Sequence, residues 1–140
     1  MSTNKYVTKD AKDAAIAKRF VIDVNTLIQP MGMSAKWRKA RTAAAHEDTE
    51  VSVGNCQVIL VINNDSLIIN MTIYKRGFAW LNIYVHEGSN HELVLMANDV
   101  LAQAGYKIKY SDARKAVAID ECTPIKTAAI LEALYLFLPG

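Results

Sequence analysis

The chain has 140 residues, of which 51% are hydrophobic and 21% are charged. This length predicts one domain, residues 1–140, with a single hydrophobic core, and the composition excludes a disordered chain. The polar start MSTNKYVTKDAKD has no signal-peptide core, and no apolar run is long enough for a membrane span. Because no CxxC spacing occurs, Cys56 and Cys122 fit two reduced thiols of a cytoplasmic protein, with a disulfide between them as the alternative.

The formal net charge of +2 hides a segregation along the chain. Residues 1–41 hold nine basic and three acidic side chains, whereas residues 42–140 hold seven basic and eleven acidic ones. Four basic residues lie around Trp37, namely Lys36, Arg38, Lys39 and Arg41. This basic segment, 36–41, resembles a small nucleic-acid-binding patch, but a solvated helix face or a loop is the commoner meaning, so nucleic acid is the less favoured partner.

The first predicted element is an amphipathic helix. Thr8 or Asp10 can cap its start, and Pro30 ends it because the residue before a proline avoids the helical region. Its apolar side chains recur at helical spacing, although the run 20–22 is a competing strand signal: Ile16, Phe20, Val24, Leu27 and Ile28. We expect residues 1–9 to be a flexible tail. Residues 31–50 are expected to form a basic loop or, over 34–46, a second short helix.

Three segments rich in Val, Ile and aromatic residues follow, at 51–62, 67–74 and 78–85. The stretches between them have turn composition, and Gly77 supplies the positive φ that a three-residue hairpin loop needs. This pattern predicts a three-stranded antiparallel meander.

The C-terminal third alternates helix and strand signals. Ser89 and Glu92 fit a capping box at the start of a helix over 91–103. A β-hairpin is predicted next, with strands at 106–111 and 116–120. Thr123 before Pro124 is a strong start signal for a last helix that runs to about residue 138. The order helix, meander, helix, hairpin, helix predicts an α+β domain.

Both faces of the predicted hairpin 67–85 carry large apolar side chains, because alternate residues point to opposite faces. One is plainly the core face: Leu67, Ile69, Met71, Ile73, Ala79, Leu81, Ile83 and Val85. The other, which we name the second face, is mixed: Ile68, Asn70, Thr72, Tyr74, Phe78, Trp80, Asn82 and Tyr84. Exposed apolar patches usually mark interaction sites, so a partner is expected there. The alternative is that the first helix covers this face.

Catalytic motifs are absent from the sequence, which has no P-loop, no GxSxG and no HExxH. His86 and His91 lie close to two acidic residues, but their spacing fits no common metal site. They are more simply solvated turn residues beside the helix cap at Glu92. We therefore predict a protein that is not an enzyme and that has no catalytic residue, no metal and no cofactor.

Residues 92–138 read ELVLMANDVLAQAGYKIKYSDARKAVAIDECTPIKTAAILEALYLFL, with Leu and Asn near LMAN (Leu95 to Asn98), then a hairpin and a helix begun at a proline. Together with the preceding helix and meander, this layout resembles the class I chaperones of type III secretion, the Tir chaperone (CesT-like) family. The resemblance implies that family's α+β fold and no catalysis. It also implies a cytoplasmic homodimer that binds an extended, nonglobular segment of a secreted effector protein.

The resemblance further implies where the surfaces lie. The family's middle helix forms much of the dimer contact, which here implies Leu93, Met96, Ala97, Val100 and Leu101. The first helix and the sheet bind the partner, which here implies Phe20, Val24, Ile28, Tyr74, Phe78, Trp80 and Tyr84. The alternative hypothesis, from another class, is a small nucleic-acid-binding or inhibitory protein that uses the basic segment 36–41.

Overall fold

A computed structural model describes residues 11–38, 52–86 and 89–138, with the backbone alone for residues 36–38. Within these residues, three helices pack on a six-stranded antiparallel sheet, which confirms the α+β fold. The helices are α1 (Ala11–Ile28), α2 (Glu92–Gln103) and α3 (Pro124–Phe137). The strands are β1 (Lys36–Arg38), β2 (Ser52–Ile62), β3 (Asp65–Tyr74), β4 (Ala79–Val85), β5 (Lys109–Ser111) and β6 (Ala116–Cys122).

The strands lie in the order β1-β2-β3-β4-β6-β5. The meander β2–β3–β4 forms as predicted, and Thr72 pairs with Trp80 in the register expected from the hairpin loop. That loop closes through a 2.8 Å bond from the Tyr74 N–H to the Phe78 C=O, with Gly77 at a φ of 86°. A side chain is disfavoured at such a positive φ, so glycine at this position determines the turn and, through it, the register.

The segment between α1 and β2 differs from its prediction. Residues 36–38 form β1, a short edge strand paired with residues 55–57 of β2, and not part of a helix. The physical reason is that Trp37 is the one large apolar residue of 34–46, so a helix there has no apolar stripe to bury. An edge strand, by contrast, forms its backbone hydrogen bonds with β2. The rest of that segment, and the tail 1–9, lie outside the described residues.

All three helices lie on one face of the sheet. Buried side chains of α1, α2 and α3 form one core cluster with Leu67, Ile69 and Met71, which point to the predicted core face. Helix α3 lies between α1 and α2 and contacts both. The alternative that the first helix covers the second face is therefore wrong. In the described part of the chain, no helix combines the length and the hydropathy that a bilayer crossing requires.

The two helix starts in the C-terminal third follow capping chemistry. At α3 the Thr123 hydroxyl accepts a 3.1 Å bond from the Lys126 N–H, with Pro124 at the first helical position, as predicted. At α2 the cap differs from the predicted box, because the Asn90 side chain accepts a 3.0 Å bond from the Glu92 N–H.

Candidate functional site

Three of the residues expected to bind a partner are in the core of this chain. Phe20, Val24 and Ile28 lie on the inner side of α1 and are buried against the sheet. The helical stripe that suggested a binding surface is therefore the stripe that packs the helix on its own sheet. These three residues are not available to a partner.

The four aromatic residues of the second face are covered to different degrees. Tyr74 is 3% exposed, whereas Phe78, Trp80 and Tyr84 are half-buried. Ile68, which pairs with Tyr84 at the end of this face away from the turn, is also buried. The second face is therefore less open than its composition suggests.

The residues expected at a dimer interface on α2 also face inward. Leu93, Ala97 and Leu101 are buried in the core cluster, and Met96 and Val100 pack against it at half burial. The apolar stripe of α2 thus packs on the sheet of its own chain, since it is the only apolar stripe on this helix. Leu93, Ala97 and Leu101 are therefore not available to a dimer interface, whereas Met96 and Val100 are partly exposed.

On the sheet, exposed apolar side chains lie at one end of β2, on the same side as the second face because Ile59 pairs with Ile68. On β2, Ile59 is 49% exposed and Val61 is 71% exposed. Tyr135, at the C-terminal end of α3, is exposed at the same end of the molecule. The sequence carried a signal for this surface, because residues 58–62 are apolar at every position and so exceed what one buried face of a strand needs. That signal was not interpreted as a site.

Strand β2 extends past its edge partner. Strand β1 pairs only with residues 55–57, so residues 58–62 lie beyond it, while β3 pairs with them on the other side. Within the part of the chain that the structure describes, no strand lies beside residues 58–62 on the β1 side. This stretch is an open sheet edge.

The backbone of this open edge presents hydrogen-bonding groups outward. A two-residue turn at 63–64 closes the β2–β3 hairpin, so Ile62 bonds to β3 as the closing pair. Bonded and non-bonded pairs alternate along an antiparallel ladder. The N–H and C=O groups of Ile59 and Val61 therefore point away from β3, toward the side that β1 does not reach.

A groove lies along this edge, with a volume of about 560 Å³. One wall is the segment 31–34 that leads from α1 to β1, and the other is the C-terminal end of α3. The lining is largely apolar: Met31, Gly32, Met33, Ser34, Gln57, Ile59, Leu60, Val61, Ile62, Leu134, Tyr135 and Leu138. We call it the β2 groove. It combines apolar side chains with outward backbone donors and acceptors.

A second cavity, of about 510 Å³, is polar. Its described lining residues include His86, His91, Arg114 and Lys115 and no carboxylate. His91 Nε2 lies 2.8 Å from the Tyr110 hydroxyl, so this histidine is anchored within the chain, while His86 is exposed. Across the described residues, no three His, Cys, Asp or Glu side chains come together as a metal site would require.

Both thiols are buried and unbridged. Cys56 Sγ lies 3.2 Å from Met71 Sδ, and Cys122 Sγ lies 3.7 Å from the Asp120 C=O. Burial raises the pKa of the Cys56 thiol to about 12 and that of Cys122 to about 11. A thiol with a raised pKa is a poor nucleophile at neutral pH, so both residues act as small packing groups.

A comparison of the chain with protein-family models, with curated proteins and with solved structures finds no match. Its function is therefore argued from its own geometry.

Proposed function

We propose that this protein binds an extended segment of a partner protein by strand addition in the β2 groove. One observation carries the proposal: β2 runs past β1, so the outward N–H and C=O groups of Ile59 and Val61 border an apolar groove. An added strand satisfies these four backbone groups, and its alternate side chains enter the groove.

The chemistry of the groove defines the segment it accepts. Backbone bonds to the edge demand an extended chain without proline at the bonded positions, and they demand little else of its sequence. Each bond contributes about 0.5–1.5 kcal/mol net, so four bonds alone give weak affinity. The apolar lining, with Met31 and Met33 as adaptable side chains, adds burial for one or two large apolar residues.

This binding mode is in keeping with the resemblance to secretion chaperones. A chaperone of that kind holds a nonglobular segment of a secreted effector extended in the cytoplasm, which requires backbone recognition more than exact sequence reading. In the proposal the partner surface is the β2 groove and not the inner side of α1. Trp80 and Tyr84 remain candidates for further contacts because both are half-buried.

The test is a pair of matched variants at one position. Val61→Pro removes an N–H that faces outward and has no strand partner in the described fold, so the sheet tolerates it. Val61→Thr keeps the N–H and a β-branched shape. Random ten-residue peptides displayed on phage are selected on the wild-type chain, and each enriched peptide is then measured on both variants.

We expect the enriched peptides to bind Val61→Thr and to lose about tenfold or more on Val61→Pro, which corresponds to about 1.4 kcal/mol. Equal binding to the proline variant would refute strand addition at this edge. Failure to enrich any peptide over a blank surface would refute peptide binding altogether.

A second candidate function is binding of nucleic acid, and the polar cavity with Arg114 and Lys115 favours it independently of the basic segment 36–41. The side chains of 36–38 are not described, and Lys39 and Arg41 lie outside the described residues. Binding of a single-stranded oligonucleotide that weakens steeply with salt, and that Arg114→Ala with Lys115→Ala abolishes, would support this alternative.

A further inference from the structure

The polar cavity, of about 510 Å³, lies where strands β3 and β4 meet the start of α2 and the turn between β5 and β6. Asn70 and Asn82, which pair directly across β3 and β4, are among its lining residues. Tyr84, two residues further along β4, lines it with a half-buried ring. Small-molecule sites have volumes of about 300–1,000 Å³ and a few convergent polar groups, so this cavity has the size and the lining of one.

The charged groups around the polar cavity have one sign. Arg114 and Lys115 line it from the β5–β6 turn, and His86 and His91 line it from the side of α2. None of the lining residues that the structure describes carries a carboxylate. A cleft lined by charges of one sign concentrates ligands of the other sign, so we expect this cavity to attract an anion.

The backbone at Lys115 has a conformation that lysine rarely adopts. Its φ is 52°, in the left-handed region where a residue with a Cβ atom is disfavoured. The β2–β3 turn meets the same requirement with Asn63 and Asn64, the residue type that best tolerates it after glycine. Backbone strain of this kind clusters at ligand-binding sites, which indicates that the Lys115 ammonium has a role beyond the turn.

His91 supplies a nitrogen atom that lacks a partner. Its Nε2 lies 2.8 Å from the Tyr110 hydroxyl, whereas its Nδ1 is buried and has no hydrogen-bond partner within the described ranges. When the Tyr110 hydroxyl donates to Nε2, Nδ1 carries the proton of the neutral ring and is a free donor. A buried donor without a partner is costly, and an acceptor oxygen of a ligand in the cavity would satisfy it.

These donors suit a phosphate group. A phosphate monoester presents oxygens in several directions, so it can accept from the β5–β6 turn and from the side of α2 at once. The guanidinium of Arg114 can bind two of these oxygens in parallel. The amides of Asn70 and Asn82 each offer donors and an acceptor, which suits hydroxyl groups or ring nitrogens on the rest of the ligand.

Charge and size favour a small ligand over a nucleic acid chain. Residues 42–140, which include the whole cavity, hold seven basic and eleven acidic side chains, so a long polyanion is repelled beyond the cavity itself. A small dianion requires only the local positive charge. We propose that the polar cavity binds a small phosphate monoester whose remaining part carries hydroxyl groups or ring nitrogens, as a sugar phosphate or a nucleoside monophosphate does.

The experiment is isothermal titration calorimetry of the full chain with two probes, ribose 5-phosphate and adenosine 5′-monophosphate. We expect at least one of them to bind. Adenosine, which lacks the phosphate, and inorganic sulfate, which lacks the rest of the ligand, should each bind at least about tenfold more weakly than that ester, because each forgoes part of the contacts.

Three matched variants test the site itself. Lys115→Asn and Arg114→Gln should each weaken binding of the ester about tenfold or more, because each removes a charged donor. Lys115→Asn should not lower the urea midpoint, since asparagine tolerates the positive φ, so its loss of binding is not a loss of fold. Lys18→Asn removes the same charge from an exposed position of α1, on the other side of the sheet, and should bind like the wild type.

Three results would overturn the proposal. The first is that neither ester binds at concentrations up to about 10 mM. The second is an affinity that stays unchanged in both Lys115→Asn and Arg114→Gln. The third is tighter binding of a single-stranded oligonucleotide without terminal phosphates, which would favour the nucleic-acid alternative instead. Val61→Pro should bind the ester like the wild type, because none of the described residues lines both the polar cavity and the β2 groove.

Discussion

The side-chain amide of Asn25 pairs with the backbone of Ala35 in both directions. Asn25 Nδ2 donates a 3.1 Å bond to the Ala35 C=O, and Asn25 Oδ1 accepts a 2.7 Å bond from the Ala35 N–H. An asparagine amide has the same donor and acceptor as a peptide group. The Asn25 side chain therefore bonds the N–H and C=O of Ala35 in the way that a paired β-strand residue would. The pair ties the segment 31–35 to α1 and thereby positions one wall of the β2 groove.

We predict that Asn25→Ala loosens this wall. Loss of the pair leaves the two Ala35 backbone groups without their partner, which should lower the free energy of unfolding by about 1–3 kcal/mol. Hydrogen exchange of the Ala35 amide should accelerate more than exchange in the sheet. Thr26→Ala is the control, because the Thr26 hydroxyl bonds only to the Ile22 C=O within α1. Unchanged exchange at Ala35 would show that the pair does not hold the wall.

We predict that Thr127→Val stabilises the protein. The Thr127 hydroxyl is fully buried on the inner side of α3 and has no hydrogen-bond partner among the described residues. Valine keeps the shape and removes the unsatisfied hydroxyl, so the free energy of unfolding should rise by about 1 kcal/mol in a urea titration. Thr127→Ala, which also removes the hydroxyl but leaves a cavity, should not give this gain. Destabilisation by valine would mean that the hydroxyl is bonded in solution.

We predict that Ile68 and Ile59, which lie opposite each other on β3 and β2, differ strongly in their contribution to stability. Ile68 is buried on the second face, whereas Ile59 is about half exposed. Ile68→Ala should cost about 2–5 kcal/mol of unfolding free energy, and Ile59→Ala should cost less than about 1 kcal/mol. Equal costs measured by urea titration would mean that the second face is not covered as the structure has it.

We predict that the stability falls in alkaline solution because of the two thiols. In the unfolded chain a thiol ionises near pH 8.5, whereas in the folded chain burial raises the pKa of Cys56 to about 12 and of Cys122 to about 11. Between these values the unfolded state binds fewer protons, so the free energy of unfolding decreases as the pH rises. The contribution is fully present below about pH 8.5 and is lost progressively toward pH 11 to 12.

The measurement is urea unfolding at several pH values between about 8 and 10. The decrease should approach about 1.4 kcal/mol per pH unit for each thiol. The variant with Cys56→Ala and Cys122→Ala should show a shallower decrease, from its other titrating groups alone. In the same range the native thiols should react with a thiol reagent much more slowly than those of the unfolded chain. Parallel slopes for the two proteins would contradict the prediction.

Much of the fold follows from local sequence pattern, and the reason is visible in particular residues. Gly77 and the turn at 63–64 specify the hairpins, Thr123 and Pro124 specify the start of α3, and alternation within β3 and β4 specifies their register. These signals act between neighbours in the chain or across one turn, so they can be recognised in the sequence without a tertiary structure. The β1 strand was missed because three residues on a sheet edge are specified by their partner strand and not by their own composition.

The candidate site could not be obtained in the same way. Apolar stripes on α1 and α2 are visible in the sequence, but an apolar stripe that packs within the chain and one that binds a partner have the same pattern. Phe20 was therefore predicted to bind a partner and Leu93 to contact a second copy, whereas both are buried in the core where the helices pack on the sheet.

The sequence by itself determined every described helix and strand except β1, their order and the pairing of the meander, because turn chemistry, caps and side-chain alternation are local properties. Only the tertiary structure decided which apolar surface is left over. Three helices share one face of the sheet, and β1 stops short of the end of β2, so the exposed apolar residues include Ile59 and Val61 at the open edge and Ile125 and Leu136 on α3. Burial depends on how distant segments fit together, and no local pattern encodes it.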